Sequence, residues 1–232
     1  MLAAEAMRLA AVEVLCPTAA TRGEAAYPTL AGKRVYDSRA VPLEDLDGDA
    51  PFTPVIALYT TESGVSLRGP MAAADDTEAD AVLDIVAELA VSSDDDGETI
   101  ADAMIAEDPK ARLVLAALCS QVRRLLERSQ SGGLWRTVVK RIIKTEYQSF
   151  AVPQLGLRWQ RITIRMHCEV RDDDYQMTDG GLPEPIRSLY AKLPADSYAK
   201  IQLATLSAHF APELLPSLRE VRVTTAGVTS GL

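Results

Sequence analysis

With 232 residues, 47% of them hydrophobic and 25% charged, the chain has the composition of one globular domain with a substantial core and is short for two. Its formal net charge of −9 and pI of about 4.8 argue against general adhesion to nucleic acid or to an anionic membrane. Aromatic residues make up only 5%, and the abundance of alanine favours helices packed closely through small side chains.

In chain order, Leu2 to Cys16 places Leu2, Ala6, Leu9, Val12 and Cys16 on one stripe with Pro17 just beyond, which predicts a short amphipathic helix. A polar connection from Thr21 to Gly32 leads to a strand at Lys33 to Ser38 and a long acidic loop at Arg39 to Phe52. A second strand follows at Thr53 to Thr60. Its run from Val55 to Tyr59 is apolar on both sides, so it is expected to be central and covered by helices. Ser63-Gly64 is a turn signal after which Val65 to Arg68 pairs back.

Thr77 opens a T-x-x-D sequence resembling a capping box, and Val82, Ile85, Val86 and Leu89 form a helical stripe behind it. A second short helix is expected from Thr99 to Glu107. Asp108 as N-cap and Pro109 as first residue then begin a helix reaching about Arg128, with Leu113, Ala117, Val122 and Leu125 inward. Residues 77 to 129 thus read as a helical insert between strands. Trp135 to Tyr147 is rich in Val and Ile and reads as the hairpin partner of the strand that follows. Helices are expected near Pro185 to Leu193 and Asp196 to Phe210, Pro212 and Pro216 end them, and Arg219 to Thr225 alternates like a final strand. Without internal repeats, this order predicts a single α+β domain over residues 1 to 232, an antiparallel or mixed β-sheet flanked by helices.

The strand expected to matter most lies in Arg158 to Tyr175. Ile162, Ile164, Met166, Cys168 and Val170 occupy every second position, and Arg161, Thr163, Arg165, His167 and Glu169 fill the places between. This is a strand with one buried face and one charged face open to water or to a partner.

Charge is segregated along the chain. From Met71 to Asp108 there are thirteen Asp or Glu and no Lys or Arg; from Pro109 to Arg171 there are thirteen Lys or Arg against Glu127, Glu146 and Glu169. Either the acidic segment folds beside the basic one within a subunit, or each faces a different neighbour, as in head-to-tail assembly.

The residues of catalysis are sparse. His167 and His209 are the only histidines, and neither has metal-ligand spacing. Gly32-Lys33-Arg34 lacks the upstream glycine of a phosphate loop, and no nucleophile elbow is present. Cys16, Cys119 and Cys168 sit among apolar residues and read as reduced core residues of a cytosolic compartment. No cofactor and no metal is therefore expected. The best candidate for chemistry is Asp172-Asp173-Asp174, which as a divalent-ion site would make the chain a nuclease or phosphoesterase. Neighbouring side chains of an extended segment point to opposite faces, however, so a solvated loop is the simpler reading. Arg161 and Arg165 with Lys140 or Lys144 form a basic stripe able to touch phosphate or to pair with Glu146, Glu169 or the acidic segment. No apolar run spans a bilayer, and Glu5, Arg8 and Glu13 interrupt the first apolar stretch, against a secretory signal.

The Arg8 to Leu15 helix, AGKRVYDSRAVPLED (Ala31 to Asp45), TPVIALYTTE (Thr53 to Glu62) and the later RITIRMHCEV strand together resemble the tail terminator, or tail completion, proteins of long-tailed bacteriophages, including the minor tail protein of lambda-like phages. The resemblance covers about half of the chain, mainly residues 2 to 62 and 134 to 175, and its motifs are strand patterns rather than catalytic residues. It implies a structural virion protein without catalysis, assembled in the host cytoplasm and located at the tail neck. There a hexameric ring would end polymerisation of the tail tube protein, join the tail to the head connector or stopper, and let double-stranded DNA pass through its centre. On that reading Arg161, Arg165 and His167, with Asp172, Asp173 and Asp174 at their rim and Arg39 in the AGKRVYDSRAVPLED segment, contact another subunit or an acidic complement. An acidic adaptor or regulatory protein is the third expectation.

Overall fold

The computed structural model describes residues 2–73, 76–95, 98–105, 109–128, 133–152, 157–175 and 181–210. The expected N-cap Asp108 and the expected strand Arg219 to Thr225 lie outside them. Helix α1 (Leu2–Leu15) is followed by the single turn α2 (Thr18–Thr21), then by strands β1 (Val35–Asp37), β2 (Thr53–Leu67), β3 (Thr77–Asp95) and β4 (Glu98–Ala103). Helix α3 (Pro109–Arg123) widens into a π-helical turn at Arg124–Arg128. The short helix α4 (Trp135–Val138) leads directly into β5 (Val139–Val152), and β6 (Leu157–Val170), α5 (Ile186–Lys192) and α6 (Tyr198–Ser207) complete the described chain.

The sheet runs β1-β2-β3-β6-β5, with β4 paired to the far end of β3. β1 pairs parallel with β2, and the other pairs are antiparallel. The fold is α+β with a mixed sheet, as expected, but the interior of the expected helical insert is not helical. Residues Thr77–Asp95 form the longest strand of the sheet, and Glu98–Ala103 pairs back on it. The reason is visible in the residues. Val82, Ile85, Val86 and Leu89 fit a helical stripe, but Ala79, Ala81, Leu83, Ile85, Ala87 and Leu89 also alternate with Glu78, Asp80, Asp84 and Glu88, and neighbours on both sides supply the hydrogen bonds that only a strand accepts. Thr77 caps no helix; its hydroxyl donates to Asp172 at the end of β6. Nor does the chain reverse at Ser63-Gly64. β2 continues to Leu67 through an irregularity between Thr60 and Glu62.

One face of the sheet carries the main core, where Ile56, Leu58, Leu83, Ile85, Leu89, Ile164 and Met166 lie under the helices. Helix α1 packs against β1, β2, β3, α4, α5 and α6. It is buried on nearly every side instead of along one stripe, because Ala3, Ala4, Ala6, Ala10 and Ala11 let neighbours approach closely all round. Helix α3 begins at Pro109 as expected, but it buries Ala111, Leu115, Leu118, Cys119 and Val122; Leu113 is 71% exposed and Ala117 is exposed. On the opposite face, Val41 and Leu46 of the loop after β1 close a smaller cluster over Tyr36, Val55 and Ala57.

Two polar anchors fix α1. Arg8 bonds Asp37 of β1, Glu5 and, at 2.6 Å, the Thr60 hydroxyl of β2, and the Tyr198 hydroxyl of α6 donates to the same Asp37 at 2.9 Å. Burial lowers the Arg8 pKa, but Asp37 and Glu5 outweigh it and leave the guanidinium above its ordinary value. At the other anchor, the Asp173 carboxylate accepts the backbone N–H groups of Leu2 at 2.9 Å and Ala3 at 2.8 Å. It thereby satisfies two of the first-turn donors that a helix leaves open and places negative charge at the positive end of its dipole. Asp173→Ala is expected to lower stability by about 1 kcal/mol, the usual cost of losing an N-cap acceptor. Urea denaturation checks this, and an unchanged midpoint would deny the anchor its role.

Candidate functional site: the charged face of the sheet

The polar residues of β6 project from the face opposite the helices, and β6 lies between β3 and β5. A ring subunit that joined its neighbour along the edge of Arg158 to Tyr175 would need an edge strand there, but β6 is an interior strand, paired on both sides. Among the described residues the strands paired on one side only are β5, with its irregular register beside β6, β4 and three-residue β1, beyond which the outer side of β2 is also unpaired.

Register decides what the charged residues meet. Asp84 lies opposite Arg165, and Glu88 opposite Arg161. Arg165 Nε and Nη2 each donate to one Asp84 oxygen at 2.8 Å, a bidentate pair, and Asp84 is only 6% exposed. The partnership with Asp84, with a smaller contribution from Glu62, raises the Arg165 pKa above its ordinary value. Arg161 donates to Glu88 at 2.6 Å and to Asp102 of β4 at 3.2 Å, and its guanidinium lies over the Phe150 ring. His167 lies 3.0 Å from Glu146 of β5, which also pairs with Lys144 at 2.9 Å. Glu169 takes Arg141 at 2.6 Å and Lys140 at 3.5 Å. The acidic strand thus folds beside the basic one within a subunit, and the basic stripe meets carboxylates of its own chain.

The remaining sequence candidates do not converge. Asp172 accepts from the Thr77 hydroxyl and the Asp173 N–H, Asp173 caps α1, and Asp174 forms a backbone bridge with Glu184. The triplet is divided among three structural tasks, and no grouping of three or more His, Cys, Asp or Glu among the described residues is placed to hold a metal ion. Arg39 is far along the chain from them, exposed, 5.2 Å from the Tyr36 ring. With Lys33, Asp37 and Tyr198 it lines a separate cleft of about 570 Å³ between α1, β1 and α6. Burial pushes the thiols of Cys16 and Cys119 up to about 11 and that of Cys168 up to about 12, so all three free cysteines stay protonated at neutral pH and are poor nucleophiles. No described helix is long and apolar enough to cross a membrane.

Comparison of the chain with protein-family models and with curated proteins finds no match.

What the described residues of this face do chemically is hold charge in register. Lys144 and His167 hold the Glu146 carboxyl below its ordinary pKa. Because the folded value is the lower one, the interaction stabilises the fold above the unfolded carboxylate range and is lost as pH falls through the folded value. The stability difference between the native protein and Glu146→Gln is therefore expected to be present at pH 7 and to fade as acidification carries the pH below the ordinary glutamate range. Thermal melts at a series of pH values check it; a difference that grows in acid would contradict the assigned pairing.

Proposed function

We propose that the chain is a structural protein of a phage tail neck, a tail-terminator-like subunit that assembles into a ring of about six copies. In this role it ends growth of the tail tube, meets the connector or stopper of the head, and lets double-stranded DNA pass. The observation that supports the reading best is that the separate stretches carrying the resemblance belong to one packed unit: β1, β2 and β6 lie in one sheet and α1 packs into its core. The resembling VYDSR segment supplies Asp37, which receives Arg8 from the resembling helix and Tyr198 from α6. A motif whose aspartate ties three elements together is a scaffold feature, in keeping with a protein whose work is assembly.

Two further features agree with it. The open edges of β5 and β2 lie on opposite sides of the sheet, suited to a heterologous interface that closes by rotation. A net charge of −9 suits a passage through which DNA must move without adhering. Sedimentation and light scattering are expected to give a mass of about six subunits, alone or once tail tubes are added. A protein that stays monomeric and never joins tails would overturn the proposal.

A further inference from the structure

On the flank of the sheet where β3 begins and β6 ends, an open basin of about 730 Å³ is lined by Arg136, Lys140, Arg171 and Lys192, with Asp172 and Glu184 on its wall. All four cations are exposed. They differ from the arginines of the charged face in what they bond. Arg136 donates to the backbone carbonyls of Glu127 at 3.0 Å and Leu126 at 3.5 Å; Arg171 donates to the Thr137 carbonyl at 3.0 Å; Lys192 donates to the Thr137 hydroxyl at 3.1 Å. These acceptors are neutral, so they orient the cations without matching their charge. Lys140 shares Glu169 with Arg141 outside the basin. Of the two carboxylates of the wall, Glu184 pairs with Arg187 and accepts the Ser188 N–H, and Asp172 accepts the Thr77 hydroxyl and the Asp173 N–H, so the basin keeps an excess of positive charge. Three oriented cations to which no carboxylate is bonded among the described residues, in a chain this acidic, describe a receptor for carboxylates or phosphates.

The chain itself carries the complementary group. β3 and β4 pair out to Asp95 and Glu98, and the sequence there carries Asp94, Asp95, Asp96 and Glu98 with no Lys or Arg among them. Thr77, which lines the basin, is the first residue of β3, and the hairpin tip stands at the other end of the same strand. At roughly 3.3 Å per residue the strand separates them by about 60 Å, so a subunit cannot bring its own tip into its own basin.

We propose that the basin receives the acidic β3–β4 tip of a second copy of this chain. The contact is heterologous, tip of one subunit to basin of the next, and it closes as a ring. This rests on the ring reading and gives it a specific joint. Exposed charge pairs add little affinity each, and they act mainly on orientation and encounter rate. The joint should therefore be sensitive to salt and to charge reversal.

The test uses two variants of the full chain, one with Arg171→Glu and Lys192→Glu in the basin, the other with Asp94→Lys and Asp95→Lys at the tip. Each should self-associate at least about tenfold more weakly than the native protein in low salt, by sedimentation. Mixed in equal amounts they should reassemble, because every alternating contact is complementary while every like contact is repulsive. Circular dichroism confirms that each is folded; if the basin pair melts early, Lys192→Glu alone, at the exposed end of α5, replaces it. Variants that assemble like the native protein overturn the joint and leave the ring standing. Variants that dissociate but fail to reassemble on mixing also overturn it. A native protein that is monomeric throughout, even with tail tubes, removes the ring itself. Loss of duplex DNA binding in the basin variant with assembly unchanged would make phosphate the occupant and contradict the proposal.

Discussion

The structure depends on β3 finding β6 in one register. β3 has a strand on each side, and its two faces are opposite in character: Ala79, Ala81, Leu83, Ile85, Ala87 and Leu89 enter the helical core, whereas Asp84 and Glu88 sit on the other face. A slip of one residue would carry those carboxylates into the core and expose Leu83 and Ile85. Burying Asp84 and Glu88 is tolerable only with a cation opposite each, which Arg165 and Arg161 provide. Charge and hydrophobicity therefore select the same pairing, and α1 can settle on the apolar side only once that pairing exists.

Part of the segregation of acidic and basic residues along the chain is used by this pairing. Asp84 and Glu88 are matched by residues more than seventy positions later. Two further concentrations of charge lie toward the two ends of β3: the acidic sequence from Asp94 to Glu98 at one, and at the other the basin where Arg136, Arg171 and Lys192 bond neutral groups. A long strand is a rigid spacer, and on the proposed joint the separation of its two ends gives subunits a reason to join in one direction.

Much of the sheet was legible in the residues. β6 alternates so strictly that its buried and charged faces were read correctly, and β2 announced itself through Val55 to Tyr59. Other features were not, for identifiable reasons. Thr77 to Asp95 fits periods of both two and 3.6, and only its neighbours decide between them. The burial of α1 on all sides is hidden because alanine is compatible with both exposed and packed positions. On α3, alternative stripes of Leu and Ala compete, and contact with the sheet selects Leu115 and Leu118 over Leu113. Asp173 capping α1 joins residues some 170 positions apart, beyond any local pattern. The basin was missed because Arg136, Arg171 and Lys192 come from three separate elements. The one hint was that Arg171 closes a basic segment with Asp172 directly beyond it.

Exchanging the charges of Asp84 and Arg165 tests most directly whether matched pairing of β3 with β6 governs the fold. Asp84→Arg and Arg165→Asp should each lower the thermal midpoint, since each leaves like charges facing one another across the two strands. The double variant should recover a large part of the loss, as coupled neighbours do in a double-mutant cycle. Losses that simply add in the double variant would contradict the account, because the two residues would then be acting independently of one another.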